Sequence, residues 1–169
     1  VATGALSANS LQVMGTGAID INGQTVTIGA GGISTAGSAT IKMNQPGSVL
    51  STTGGASFAG GSETGLLTTG TLTVSSNFNE GGGSTSAFVA TSGHTTILNG
   101  TVATNFSFTD PNSSMFGNLT INDPAGITAL TTFQANNVTM TAGILTGTLG
   151  GTINGTLTDP LGKLQLPSI

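Results

Sequence analysis

Acidic side chains are the residues of this chain whose type could support catalysis, because paired carboxylates act as general acid and base in glycan cleavage. The 169-residue sequence contains six Asp and Glu residues. Three of them, Asp110, Asp123 and Asp159, directly precede a proline. An Asp in this position caps a turn through its own backbone, while the proline fixes the next φ angle. We therefore expect these three carboxylates to shape turns rather than to catalyse a reaction.

The remaining acids also lack the pattern of a catalytic pair. Glu63 and Glu80 lie in glycine-rich segments, where we expect them to be solvated, and Asp20 points outward by alternation with its apolar neighbours. Polysaccharide-cleaving β-helices also need basic residues to bind acidic sugars, and only Lys42 and Lys163 are present. We expect that the protein is not an enzyme. A polysaccharide-active β-helix stays as a minor alternative.

A metal site would need several His, Cys or carboxylate ligands at defined spacing. His94 is the single imidazole, and the chain has no Cys. Residues 20–23 resemble the start of a calcium loop, but the further oxygen ligands and the closing Glu are missing. No glycine-rich nucleotide motif and no serine-hydrolase elbow occurs. We predict no metal and no cofactor, and we expect His94 to be a surface turn residue.

Threonines recur in Thr-x-Thr pairs, which place two hydroxyls and two methyls on the same face of a strand. A flat array of such pairs would resemble an ice-binding solenoid, and we keep that function as a lower alternative. Their irregular spacing favours another interpretation, in which Thr is a good strand residue whose hydroxyl bonds along a ladder. The pairs are Thr25/Thr27, Thr71/Thr73, Thr139/Thr141, Thr146/Thr148 and Thr156/Thr158.

The elements that would position these side chains are short β-type runs closed by Gly, Asn, Ser or Asp-Pro. Apolar residues alternate within them, which predicts strands with one buried face, and no run has the spacing of an amphipathic helix. Their rhythm predicts a β-solenoid with coils of about 22 residues near the N-terminus, roughly seven or eight coils in all, and little or no α-helix. A β-sandwich is the alternative. The clearest runs are 11–14, 18–21, 25–28, 39–43, 71–74, 95–98, 118–121 and 137–140.

Composition excludes several classes of partner. Charged residues make up only 5% of the chain, and two basic residues stand against six acidic ones, so no basic stripe exists to bind nucleic acid. No stretch has the roughly 20 apolar residues that would span a bilayer, so we expect no membrane insertion. The sequence begins at Val1 without an initiator Met or a leader, and we expect a processed product or an excerpt of a longer chain.

Five segments resemble the β-strand repeats of large secreted bacterial surface proteins, including adhesins and autotransporter passenger regions. The resemblance implies an all-β fold, a right-handed parallel β-solenoid, and an extracellular or cell-surface location. It brings no catalytic residues with it. The segments are 20–32, 69–78, 92–101, 106–121 and 124–130.

We expect one solenoid domain over residues 1–158. A seam between groups of coils is expected at 60–65, and a protruding loop at 79–86, because both segments are rich in glycine. Residues 159–169 contain two of the five prolines and one of the two lysines. We expect this tail to be a linker or a terminal assembly segment.

These observations favour a structural role, as the subunit of an extracellular filament. A solenoid has two open ends with unpaired backbone groups, and without cap helices we expect copies to stack head to tail or to exchange a terminal strand. The partner would be the chain itself, with surface glycans as a further partner. The alternative is a repeat module of a large cell-surface adhesin. The predicted assembly residues are Val1, Leu6, Leu11, Val13, Leu157, Leu161, Leu164, Leu166 and Ile169.

Overall fold

The computed structural model describes residues 4–167, and in this range the chain forms strands and turns with no helix. All strand pairs are parallel, and the strands wind into a β-solenoid of about seven turns. The predicted all-β solenoid is therefore confirmed. The β-sandwich alternative is wrong, because sandwiches are built from antiparallel strands. Among the described residues, no helix is long and apolar enough to cross a membrane.

Seventeen strands follow one another along the described chain. They are β1 (Leu6–Val13), β2 (Ala18–Asp20), β3 (Thr25–Ala36), β4 (Thr40–Lys42), β5 (Val49–Thr52), β6 (Ala56–Ala59), β7 (Thr71–Val74), β8 (Phe78–Glu80), β9 (Thr95–Leu98), β10 (Thr104–Phe108), β11 (Phe116–Asn122), β12 (Ile127–Ala129), β13 (Phe133–Ala142), β14 (Leu145–Gly147), β15 (Gly151–Ile153), β16 (Leu157–Thr158) and β17 (Leu164–Gln165).

Each coil has three sides. The first side contains β5, β7 and β9 and continues in β11, β13 and β16, and the second side contains β6, β8, β10, β12 and β14. The long strand β3 bends around the corner and pairs with β5 on the first side and β6 on the second. The third side starts as the β2–β4 pair and continues through single bridges such as Met43 with Leu67. Side chains therefore stack in columns along the rod, one residue per coil.

The length of a coil varies along the chain. Leu11 pairs with Ile33, which confirms the 22-residue coil expected near the N-terminus. The longest step joins Phe78 to Phe106, and the shortest joins residues 127 and 145. The longest coil includes the glycine-rich segment 81–83, which lies outside the strands. Insertions between strands thus change the coil length without breaking the strand pairing.

The interior is apolar and becomes aromatic in the middle of the rod. All seven Phe residues are fully buried, and their rings pack mainly tilted or edge to face, with centroids 4.8 to 6.4 Å apart. Burial of one such ring contributes about 1.5–3 kcal/mol, and a favourable ring pair adds about 0.5–1.5 kcal/mol. The Phe cluster consists of Phe58, Phe78, Phe88, Phe106, Phe108, Phe116 and Phe133.

Corners are made by residues that tolerate left-handed backbone. Asn22 and Gly23 follow each other with φ angles of 49° and 73°, and Asn22 is the only non-glycine residue with positive φ in the described chain. Asn tolerates this conformation better than other residues with a side chain. The Asp20 carboxylate accepts a hydrogen bond from the Asn22 amide at 3.0 Å, which supports the turn.

The three Asp-Pro motifs form turns, as expected. Asp123 accepts a hydrogen bond from the Ala125 amide, and Asp159 accepts hydrogen bonds from the amides of Lys163 and Leu164. The Asp110 carbonyl accepts from two amides further along its turn. The turn at Asp159 leads into β17, which pairs with β14, so strand pairing continues beyond residue 158.

Candidate functional site

The two ends of the solenoid share one interior column of side chains. Strand pairing stacks its eight members in chain order, and the six inner members are at most 5% exposed. Leu6 and Leu157 terminate the column, and they are 50% and 43% exposed because no described coil lies beyond them. The column is Leu6, Val26, Leu50, Leu72, Thr96, Leu119, Val138 and Leu157.

Further apolar residues at each end are only partly covered. Leu11 and Ile19 pack against the core at the β1 end, and Ile153, Leu164 and Leu166 do so at the other end. Leu164 stacks on Leu145, which is fully buried in the preceding coil. The ends thus present core side chains that lack the next layer.

The backbone is open at the β1 end as well. Among the described residues, β1 pairs with β3 and with no other strand, so its outer edge has no ladder partner. It is eight residues long and contains neither a charge nor a proline. Proteins usually protect such edges with Lys, Pro or short strands, because an unpaired edge is a template for another strand. This edge lacks those protections.

An apolar cavity of about 420 Å³ lies at the same end of the rod. Leu6, Ile19, Ile21 and Val26 contribute its apolar wall, and Gln24 is among the polar residues at its border. Ile21 and Val26 belong to the core, so the cavity is an opening into the interior of the first coils. It is large enough to receive apolar side chains of another coil.

The structure separates the predicted assembly residues into two groups. Leu6 and Leu11 lie at the β1 end, whereas Leu157, Leu164 and Leu166 lie at the opposite end. Val13 belongs to the buried core, and Leu161 is 74% exposed in the turn before β17. Val1 and Ile169 lie outside the described residues. Ile19 and Ile153 are not among the predicted assembly residues, although the alternating runs that contain them could have indicated that they lie at the ends.

Glu63 corrects the expectation that the glycine-rich segments hold solvated acids. Its side chain is fully buried, and its Oε1 accepts a hydrogen bond from the Ile41 amide at 2.8 Å. Its Oε2 is buried and has no hydrogen-bond partner within residues 4–167. Burial raises the pKa of Glu63 from 4.5 to about 8, against the opposing effect of the Ile41 hydrogen bond. The segment 60–65 therefore carries a buried, protonated carboxyl at neutral pH.

Glu80 is the second correction, because it is the last residue of β8 and points into the core. It stacks between Phe58 and Phe108 in the register of the second side. Its Oε2 accepts hydrogen bonds from the amides of Thr109 and Asp110 at 2.9 and 3.0 Å. Burial raises the pKa of Glu80, while these two hydrogen bonds lower it in part. The expected loop thus begins after Glu80.

His94 is the third correction, since it is fully buried rather than a surface turn residue. Its Nδ1 lies 2.8 Å from the Thr69 carbonyl oxygen, which can only accept, so Nδ1 carries the proton. Its ring lies 6.3 Å from that of Phe88, and burial lowers the pKa of His94. A neutral imidazole here joins two neighbouring coils.

The ionisable groups of the described residues lie in separate local environments. Within residues 4–167, no group of three or more His, Cys, Asp or Glu residues could hold a metal ion. Lys42 lies 2.9 Å from Asp20 in an ion pair at the surface, and Lys163 donates to the Thr141 carbonyl. Buried Asp123 accepts from the Thr104 hydroxyl at 2.9 Å. Each group has a local structural partner.

Comparison with protein-family models, with curated proteins and with solved structures gives no match to this chain. Within residues 4–167, the exposed Leu6 and Leu157 and the outer edge of β1 lack the packing and pairing partners that the inner coils have.

Proposed function

We propose that the chain is the structural subunit of an extracellular filament, in which copies stack end to end. The observation that supports this proposal is the column that ends at Leu6 and Leu157. These two leucines occupy opposite ends of one interior column and are exposed only because it stops. Stacking Leu6 of one copy on Leu157 of the next would continue the column in the same register.

Such a contact would bury apolar surface and would pair the free edge of β1 with a strand of the next copy. Covering one exposed leucine contributes about 1.5–3 kcal/mol, and several end residues would be covered at once. The free edge of β1 would gain backbone hydrogen bonds from strands at the other end of the next copy. Because the two ends differ, the contact is heterologous and produces an open chain of subunits. With coils about 4.8 Å apart, seven turns predict an axial repeat of about 35 Å.

The second candidate is a module of a long cell-surface adhesin. There the neighbouring coils would come from the same polypeptide, and exposed loops would contact surface glycans. The same open edges support this reading, as does the resemblance to secreted bacterial repeats. In both cases the extracellular setting rests on the resemblance to secreted bacterial repeats. The two candidates differ in whether the isolated 169-residue chain polymerises.

The experiment measures the association of the purified chain by light scattering and electron microscopy over a wide range of concentration. We expect filaments, and we expect monomers for Leu6→Asp and for Leu157→Asp, because each change puts a charge into one face of the contact. Leu130→Asp is the matched control. Leu130 is 51% exposed but lies after β12, outside the column that ends at Leu6 and Leu157. It should assemble like the unchanged chain.

Mixing the two end variants tests the direction of the contact. The Leu6→Asp variant keeps the end that contains Leu157, and the Leu157→Asp variant keeps the end that contains Leu6. A mixture should therefore form one intact junction and stop at a dimer. Monomers at every concentration of the unchanged chain would contradict the filament and leave the adhesin module as the better candidate. Equal disruption by Leu130→Asp would contradict the role of the ends.

A further inference from the structure

The first side of the solenoid presents two adjacent outward columns of uncharged residues, mostly Thr, Ser and Asn, which we call the Thr face. The longer column contains Ser7, Thr27, Ser51, Thr73, Ile97, Thr120, Thr139 and Thr158. The neighbouring column contains Thr25, Val49, Thr71, Thr95, Asn118 and Asn137. Two of the Thr-x-Thr pairs, Thr25/Thr27 and Thr71/Thr73, lie together in these two columns, although variable coil lengths make their spacing irregular in the sequence. Thr146 of another pair lies on the second side.

Every residue of the longer column except Ile97 has a hydroxyl group. Ser7, Thr27 and Thr158 are exposed, and the other hydroxyl residues of this column are half-buried, so their hydroxyls can reach water. On the second side, by contrast, Ser107 donates to the Asn79 side chain at 2.7 Å. Also on the second side, the hydroxyl oxygens of Thr128 and Thr146 lie 3.4 Å apart, which agrees with the expected hydroxyl ladder for that pair.

Strand geometry arranges these groups as a grid. Adjacent coils repeat at about 4.8 Å along the rod, and residues two apart on one strand are separated by about 6.6 Å. Threonine is β-branched and has few side-chain rotamers, so its methyl and hydroxyl groups hold fixed positions. Val49 preserves the shape of threonine within the grid, with a methyl in place of the hydroxyl. The face thus offers an array of hydroxyl, methyl and amide groups at the repeat of the strands, with Ile97 as the one large apolar member.

The chemistry of the face limits what could bind there. Neither column contains a charged residue, which removes ionic ligands and nucleic acid. Sugar recognition commonly stacks rings on aromatic side chains, but the chain has no Trp or Tyr and buries all seven Phe residues. A lattice of water molecules is itself uncharged, repeats at comparable distances, and accepts both methyl and hydroxyl neighbours. Ordered water fits the face better than these other ligands.

We propose that the Thr face binds the surface of ice. The hydroxyls of the longer column take positions in the water lattice, and the methyl groups between them fill its gaps. The strands hold the grid in place before binding, so little conformational entropy is lost on contact. The activity uses the lateral side of the rod and leaves both ends free.

The test measures adsorption of fluorescently labelled protein to a growing ice surface, together with the shape of ice crystals and thermal hysteresis. The unchanged chain should adsorb and shape the crystals. Thr73→Tyr places a large ring in the centre of the longer column and should abolish adsorption. Ser57→Tyr is the matched control, because Ser57 lies in an outward column on the second side. It should adsorb like the unchanged chain.

Thr120→Tyr on another coil is the second variant, so the test does not depend on the folding of one substitution. Thermal melting of each variant, measured by circular dichroism, establishes that the solenoid is intact. The proposal is overturned if the folded unchanged chain does not adsorb, or if Ser57→Tyr removes adsorption as fully as Thr73→Tyr. It is also overturned if Thr73→Tyr changes only self-association, since the face would then contact a second copy.

Discussion

The buried carboxyl of Glu63 makes a quantitative prediction for the pH dependence of stability. Burial raises the pKa of Glu63 from 4.5 in the unfolded chain to about 8 in the fold. The folded state therefore keeps a proton that the unfolded state releases. Stability from this group is fully present below pH 4.5 and is lost as the pH rises through about 8. One pKa unit corresponds to about 1.4 kcal/mol, so the complete change is about 5 kcal/mol.

The interval from pH 6.5 to 8 separates this effect from the titration of His94 and Asp159. Burial lowers the pKa of His94 from 6.5, so that the imidazole is mostly neutral in both states above this value. The pKa of Asp159 is lowered from 3.8, so this carboxyl changes its charge only at pH values well below the interval. Across this interval Glu63 alone should reduce the free energy of unfolding by about 2 kcal/mol, and Glu80 acts in the same direction because its pKa is also raised.

The variant Glu63→Gln keeps an oxygen that can accept the hydrogen bond from the Ile41 amide, but it cannot ionise. We expect it to lose on average about 1 kcal/mol less stability per pH unit than the unchanged chain between pH 6.5 and 8. Asp20→Asn is the control, because this acid lies at the surface in an ion pair worth about 0–1 kcal/mol. It should leave the slope unchanged.

The assay is urea unfolding followed by circular dichroism at several pH values. The measurement is best made in the Leu157→Asp background, because assembly would add a term that depends on protein concentration. Equal slopes for Glu63→Gln and the unchanged chain would refute the reasoning. In that case the carboxyl would be ionised in the fold and would have access to water.

Two further changes test the core. Because burial lowers the pKa of His94, this group should cost stability as the pH falls below 6.5, while Glu63 contributes stability over the same range. On acidification from pH 6.5 to 4.5, His94→Gln should therefore gain more stability than the unchanged chain in the same urea assay, so the substitution should change the acid limb. An acid limb unchanged by the substitution would contradict the burial of the imidazole. Phe78→Ala should cost about 3–5 kcal/mol, because it opens a cavity in the Phe cluster. Val102→Ala should change stability by less than about 0.5 kcal/mol, because Val102 is 67% exposed. Similar costs for both would contradict the aromatic core.

The strands and their buried faces could be predicted from sequence because alternation is a local signal. The stacking of one coil on the next could not, since the step from Phe78 to Phe106 differs from the step between residues 127 and 145. Glu80 illustrates this limit. The loop predicted at 79–86 includes Glu80 because glycines follow it, although Glu80 continues the alternation of buried residues that begins at Phe78. His94 needed the register itself, because its partner Thr69 lies in the preceding coil.

The proposed stacking contact and the Thr face share one register. If Leu6 of one copy stacks on Leu157 of the next, Ser7 stacks on Thr158, and these residues end the longer outward column. Filament growth would then lengthen the grid of hydroxyls without any change in its repeat. Multivalent contact strengthens binding well beyond that of one unit. The unchanged chain should therefore stay on ice longer after washing than Leu157→Asp, which keeps one complete Thr face per monomer. Equal retention would mean that the columns of neighbouring copies are not continuous, even if both proposals hold separately.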